Sequence, residues 1–123
     1  MKTLSATLAL TAGLALTSLA HAQGGQCFRP HDIQGFTTAN DNRTVYVRAG
    51  GRVFQLVTAN VCPELAQREH IQLNAEGSSS TICNPIEANL RVRTAGISIS
   101  CPVDTLRVLS PDEVRALPKK LRP

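Results

Sequence analysis

Aromatic side chains are scarce in this sequence: no Trp, one Tyr and three Phe in 123 residues. Stacking platforms for nucleobases or sugar rings normally need more than Phe28, Phe36, Phe54 and Tyr46 can supply. No C-x-x-C pair occurs, which removes zinc ribbons, thioredoxin-like dithiols and haem attachment. No G-x-S-x-G nucleophile elbow occurs, and no Lys follows "GSSST" (Gly77–Thr81) at the phosphate-loop position. The acidic residues form no D-x-D-x-D-G array for calcium. Basic residues are only modestly in excess, 13 Lys and Arg against 9 Asp and Glu, and they are scattered, so no specific nucleic-acid partner is implied. No internal repeat is visible.

The beginning of the chain carries a strong pattern. Met1-Lys2 supplies a small positive start, "LSATLALTAGLALTSLA" (Leu4–Ala20) an uncharged apolar run, and Ala20-His21-Ala22 the small residues that a signal peptidase reads. The central run is shorter than the ~20 apolar residues of a membrane span, and no basic stop-transfer cluster follows. Residues 1–22 are therefore expected to be a signal peptide cleaved after Ala22, sending the product to the periplasm or the exterior. A lipid anchor would need a cysteine directly after the small residues. The nearest is Cys27, preceded by "GGQ", so a soluble product without a transmembrane segment is expected. The mature chain would be one domain of about 100 residues. Losing Lys2 would leave it a net charge of about +3.

All four cysteines, Cys27, Cys62, Cys83 and Cys101, lie beyond the leader. An even count in an exported chain reads as two disulfides with no thiol left over. Cys62-Pro63 and Cys101-Pro102 resemble haem-sensing thiolate motifs, but that role needs a reduced sulfur. Four cysteines allow three connectivities. The favoured one is Cys27–Cys101, tying the exposed start of the domain to a late strand, with Cys62–Cys83 clipping a local excursion. No cofactor or metal site is implied.

Period-two alternation recurs along the chain. It marks strands over 32–38, 43–49, 53–58, 70–76, 81–83, 90–96, 97–103 and 105–109. Gly50 and Gly51 between the second and third suit a tight hairpin. "PELAQRE" begins with proline and predicts one or two helical turns or a loop. Ser110, Pro111 and Glu113 form the start signature of a short helix. About seven short strands and one terminal helix predict an all-β domain over 31–117, an antiparallel barrel or sandwich. The barrel is preferred because it covers strand edges. Residues 23–30 are expected as a flexible lead-in and 118–123 as a disordered tail.

The order of these motifs is distinctive. Cys27 precedes an "I-x-G-F" strand, followed by "D-x-R-T-V-Y-V", "G-R-V-F", "C-P-E-L", an isolated "I-C", and "C-P-V-D-T-L-R-V-L" running into "S-P-D-E-V". From about Cys27 to Leu117 this resembles a family of small exported bacterial proteins known only as a domain of unknown function. The resemblance implies export and a fold unit. Its motifs are scaffold features and transfer no catalytic residue.

Candidate chemistry is sparse. His31-Asp32 has the makings of an oriented general base, but without a nucleophile motif a solvated or turn-flanking pair before a strand is the favoured reading. "GSSST" offers serines on a polar loop. Asp41, Glu64, Glu69, Glu76, Glu87 and Asp104 nominate no catalytic pair. Arg91 and Arg93 share a strand face, and with Arg48, Arg52 and Arg107 would form a patch for an anionic polymer if the fold gathers them. The blander reading is the solvated side of a sheet. The expectation is an exported, disulfide-stabilised binding or structural module rather than an enzyme, its partner unknown, with an envelope protein or an anionic polymer as the candidates. The alternatives are a small periplasmic hydrolase and an inhibitor of an envelope-attacking enzyme. A net positive charge fits poorly with the last, since a cationic target wants an acidic surface.

Overall fold

The computed structural model describes residues 26–67, 70–77 and 79–123. The expected leader, its cleavage point after Ala22 and the start of the lead-in lie outside the described residues. Seven strands form two antiparallel sheets. β1 (Ile33–Thr38), β2 (Thr44–Ala49), β3 (Arg52–Thr58) and β7 (Val103–Leu109) make a four-stranded sheet in the order β1-β2-β3-β7. β4 (Ile71–Ala75), β5 (Ala88–Thr94) and β6 (Ile97–Ser100) make a three-stranded one in the order β4-β5-β6.

Alternation sets which side chains meet between the sheets. Val45 and Val47 of β2, Phe54 and Leu56 of β3, and Leu90 and Val92 of β5 are buried in one cluster, with Ile71, Leu73, Leu106 and Val108 packed against it. These residues recur at period two, so each strand sends every second side chain to the shared core. Gly50 and Gly51 take φ +58° and +76°, as the tight β2–β3 hairpin requires. Arg91 and Arg93 point away from the core, as the alternation predicts.

Two sheets rather than a closed barrel result because the chain changes sheet between its last two strands. β6 stops at Ser100 and β7 starts at Val103 in the other sheet, with Cys101-Pro102 as the crossover. Proline has no N–H to continue the ladder of β6. The expected strand at 81–83 reduces to one bridge, in which Phe28 and Ile82 exchange main-chain hydrogen bonds of 2.9 and 2.8 Å. In the described part of "PELAQRE", residues 63–67, a single 3-10 turn, Leu65–Gln67, forms.

The disulfides pair differently from the expectation. They are Cys27–Cys83 and Cys62–Cys101, and no cysteine is free. The Phe28–Ile82 bridge places Cys27 beside Cys83. Pairing of β3 with β7, with Thr58 opposite Val103, carries the segment after β3 to the crossover and so brings Cys62 to Cys101. The Ala59 N–H donates to the Pro102 carbonyl at 2.9 Å in the same place.

Both ends of the described domain pack against the sheets. Phe28, in the expected lead-in, is buried, its ring 4.6 Å from that of Phe54. The helix α1 (Pro111–Ala116) has a complete capping box: Glu113 N–H donates to Ser110 Oγ, and Ser110 N–H to Glu113 Oε1. Residues 118–123, expected as a disordered tail, contain a 3-10 turn, Lys119–Leu121. Val114, Leu117 and Leu121 pack on Tyr46, Val53 and Leu109, on the face of the four-stranded sheet away from the core. Thr37 Oγ1 donates to the Leu121 carbonyl, and Arg48 Nε donates to the Pro123 oxygen at 2.7 Å. β2 is therefore covered on both faces, on its Thr44-Tyr46-Arg48 side as well as on its valine side.

Candidate binding clefts

The sequence-nominated groups are dispersed. His31 Nε2 lies 3.4 Å from Asp32 Oδ1, and Arg29 Nε is 2.9 Å from Asp32 Oδ2, all on an exposed turn. The carboxylate is thus held by a guanidinium rather than aligned with the imidazole alone. In "GSSST", Ser79 Oγ accepts from the Thr81 N–H and donates to the Thr81 carbonyl, closing a local turn; Ser78 lies outside the described residues, as does Glu69.

Most carboxylates have local structural work. Asp41 accepts from the Arg43 and Thr44 N–H groups, each at 2.9 Å, and from the Thr44 hydroxyl at 2.7 Å. Its partial burial pushes the pKa up, but these three donors outweigh that and hold it below the usual value. Glu87 accepts from the Cys83 N–H at 2.7 Å, next to the disulfide. Glu64 accepts from Thr94 Oγ1 at 3.3 Å. Glu113 is lowered chiefly by its hydrogen bond from Arg107, Nη1 to Oε2 at 2.6 Å.

The five arginines do not make one patch. Arg91 and Arg93 occupy the outer face of the three-stranded sheet. Arg107 lies on the outer face of the other, tied to Gln55 and Glu113. Arg48 is on that same face and held by Pro123. Arg52 turns inward, donating to the Cys27 carbonyl at 2.8 Å with its guanidinium 5.2 Å from the Phe54 ring centre. Arg48 and Arg52 share a cleft. It holds about 370 Å³ beside the β2–β3 hairpin and is walled by Val53, Leu109, Pro111 and Val114.

Two further hollows matter. Ile33, Phe36, Ile71 and Leu73 line an apolar slot of about 100 Å³ between β1 and β4. A larger cleft of about 410 Å³ runs between the Pro85–Glu87 turn and the Cys101–Asp104 segment. Its walls are Pro85, Ile86, Ala88 and Pro102, and Glu76 and Asp104 stand on it. Ile86 is 84% exposed, the most exposed large hydrophobic side chain among the described residues. Sequence reasoning gave Ile86 no role and left Glu76 and Asp104 unconnected. Nothing local reveals that the Cys101-Pro102 crossover carries Asp104 to the turn at Pro85.

The scaffold that positions these clefts is the one that a family model recognises. The model, described as a family of unknown function (DUF6491), matches residues 1–123. This chain belongs to that family. Comparison with curated proteins and with solved structures found no match. In this DUF6491 member four paired cysteines and seven strands build the scaffold, and the clefts are its candidate functional surfaces. Among the described residues, no group of three or more His, Cys, Asp or Glu is arranged to hold a metal, and no helix is long and apolar enough to cross a membrane.

Proposed function

We propose that this DUF6491 member is an exported bacterial protein, periplasmic or extracellular, that acts as a disulfide-locked binding domain. The observation that carries the reading is the pairing of all four cysteines into cross-links at both ends of the sandwich. Such cross-links persist in oxidising compartments, and the leader-like start of the chain supports the same address. A domain fixed in this way presents preformed surfaces at little ordering cost, which favours recognition. Hydrolysis by His31 or a carboxylate pair, or inhibition of an envelope-attacking enzyme, are the competing activities.

Expression with the natural leader, followed by mass determination of the exported product, tests the address. A mass beginning at Gln23 and carrying two disulfides is expected; retention of residues 1–22 in the cytosol overturns it. Immobilised oxidised protein should then retain a partner from envelope extract that reduced and alkylated protein releases. Equal retention by both forms, or turnover of an envelope substrate, overturns the binding reading.

A further inference from the structure

Charge and exposure single out the cleft between the Pro85–Glu87 turn and the Cys101–Asp104 segment. Among the described carboxylates, Asp32, Asp41, Glu64, Glu87, Asp112 and Glu113 each take a hydrogen bond or ion pair within the chain. The side chains of Glu76 and Asp104 take none, and both line this one cleft. The chain as a whole is basic, with a formal charge of +4. Both carboxylates therefore face one cleft of a basic chain without an intramolecular partner; Arg91, which donates to Asn89 Oδ1 of the same lining at 3.2 Å, pairs with neither.

Ile86 adds an independent chemical feature. A large aliphatic side chain left 84% exposed on a short turn contributes little to the fold. It stands beside Pro85 and Pro102, so the cleft offers an apolar wall next to two unneutralised carboxylates. The floor is rigid: Ala88, Leu90 and Cys101 are buried, and Cys101 is cross-linked to Cys62. At about 410 Å³ the space lies within the range of sites that take small molecules or one or two side chains.

We infer that this cleft docks a partner's cationic peptide segment, in which a Lys or Arg neighbours an aliphatic side chain. The aliphatic group packs on Ile86, Pro85 and Pro102, while the cation sits between Glu76 and Asp104. Complementary charge sets the orientation and the rate of encounter, and the apolar contact supplies the affinity. A simple polyamine satisfies only the carboxylates, and a neutral apolar segment only Ile86. The inference rests on the binding reading above and names its partner's chemistry.

Titration of the oxidised, 15N-labelled protein with the blocked tripeptide acetyl-Lys-Leu-Lys-amide tests this. Amide shifts are expected to saturate and to cluster at Glu76, Ile86–Leu90 and Ser100–Asp104. Acetyl-Glu-Leu-Glu-amide should produce none. Glu76→Gln, Asp104→Asn and Ile86→Ser should each weaken binding about fivefold. The two charge-neutralising changes should leave Tm unchanged or raise it, because groups kept for binding do not hold the fold. Shifts elsewhere, equal binding of the acidic tripeptide or of spermidine, a fall in Tm, or self-association that shifts the same amides would each overturn the inference. Retention of the envelope partner by the triple variant would overturn the cleft alone and leave the binding reading standing. Loss of partner retention by the unaltered oxidised protein would overturn the binding reading itself.

Discussion

Thr38 carries a buried hydroxyl with no hydrogen-bond partner, the only such side-chain atom found among the described residues. It sits at the end of β1 opposite Val45, on the core side. A buried unsatisfied hydroxyl opposes folding, and Val has nearly the same shape. Thr38→Val is expected to stabilise the protein by about 1 kcal/mol, read from the urea midpoint. Asp41 gives a pH signature of defined sign. Its folded-state pKa lies below the unfolded value, so its contribution is complete above the usual carboxylate range and is lost as pH falls through the lowered value. Stability should therefore decline below about pH 4. Asp41→Asn should flatten that acid limb while lowering stability at neutral pH, as thermal melts from pH 2 to 7 would show. Ala95 holds φ +47° in the β5–β6 turn, followed by Gly96 at +78°. Asn adopts that region more readily than Ala, so Ala95→Asn should add about 0.5 kcal/mol.

At the scale of elements, the helix cap and the tail act together. Glu113 closes the capping box of α1 and also pairs with Arg107 of β7, which anchors the helix over the sheet. Ser110→Ala is expected to cost about 1 kcal/mol. Removing residues 118–123 should cost about 2 kcal/mol, since it takes away the carbonyls that Thr37 and Arg48 donate to and uncovers Tyr46 and Leu109. Denaturant melts of the two variants check both values. The α1 cap and the β2–β3 hairpin were legible because their signals are local: Ser110, Pro111 and Glu113 in one turn, and Gly50-Gly51 between alternating runs. The tail was not. Lys119 and Lys120 dominate "PKKLRP", whereas its order comes from Leu121 and from main-chain oxygens that meet residues about 80 positions away. The break between the last two strands, expected at Asp104, was misplaced for a related reason: the alternation runs through Val103, and only the proline at 102 marks the point where the chain leaves one sheet for the other.

At the scale of the whole molecule, the β architecture and the presence of two disulfides follow from composition and spacing. Their connectivity does not. Favouring Cys27–Cys101 treats the cross-link as a clasp between distant ends, but position in the sheets decides: Thr58 opposite Val103, and Phe28 bridged to Ile82. The clefts were hidden for the same reason, because each is assembled from both sheets or from a sheet and a turn. By the loop-entropy estimate each cross-link is worth about 4 kcal/mol, a large share of the ~5–15 kcal/mol typical of a domain. Replacing Cys62 and Cys101 with Ala should therefore lower stability more than any single surface change proposed above. The account depends most on which sulfurs are joined. Proteolysis of the unreduced, alkylated protein with mass mapping reads this directly. Linked peptides containing Cys27 with Cys83 and Cys62 with Cys101, free of alkyl adducts, are predicted. A Cys27–Cys101 or Cys27–Cys62 peptide, or any alkylated cysteine, would contradict it.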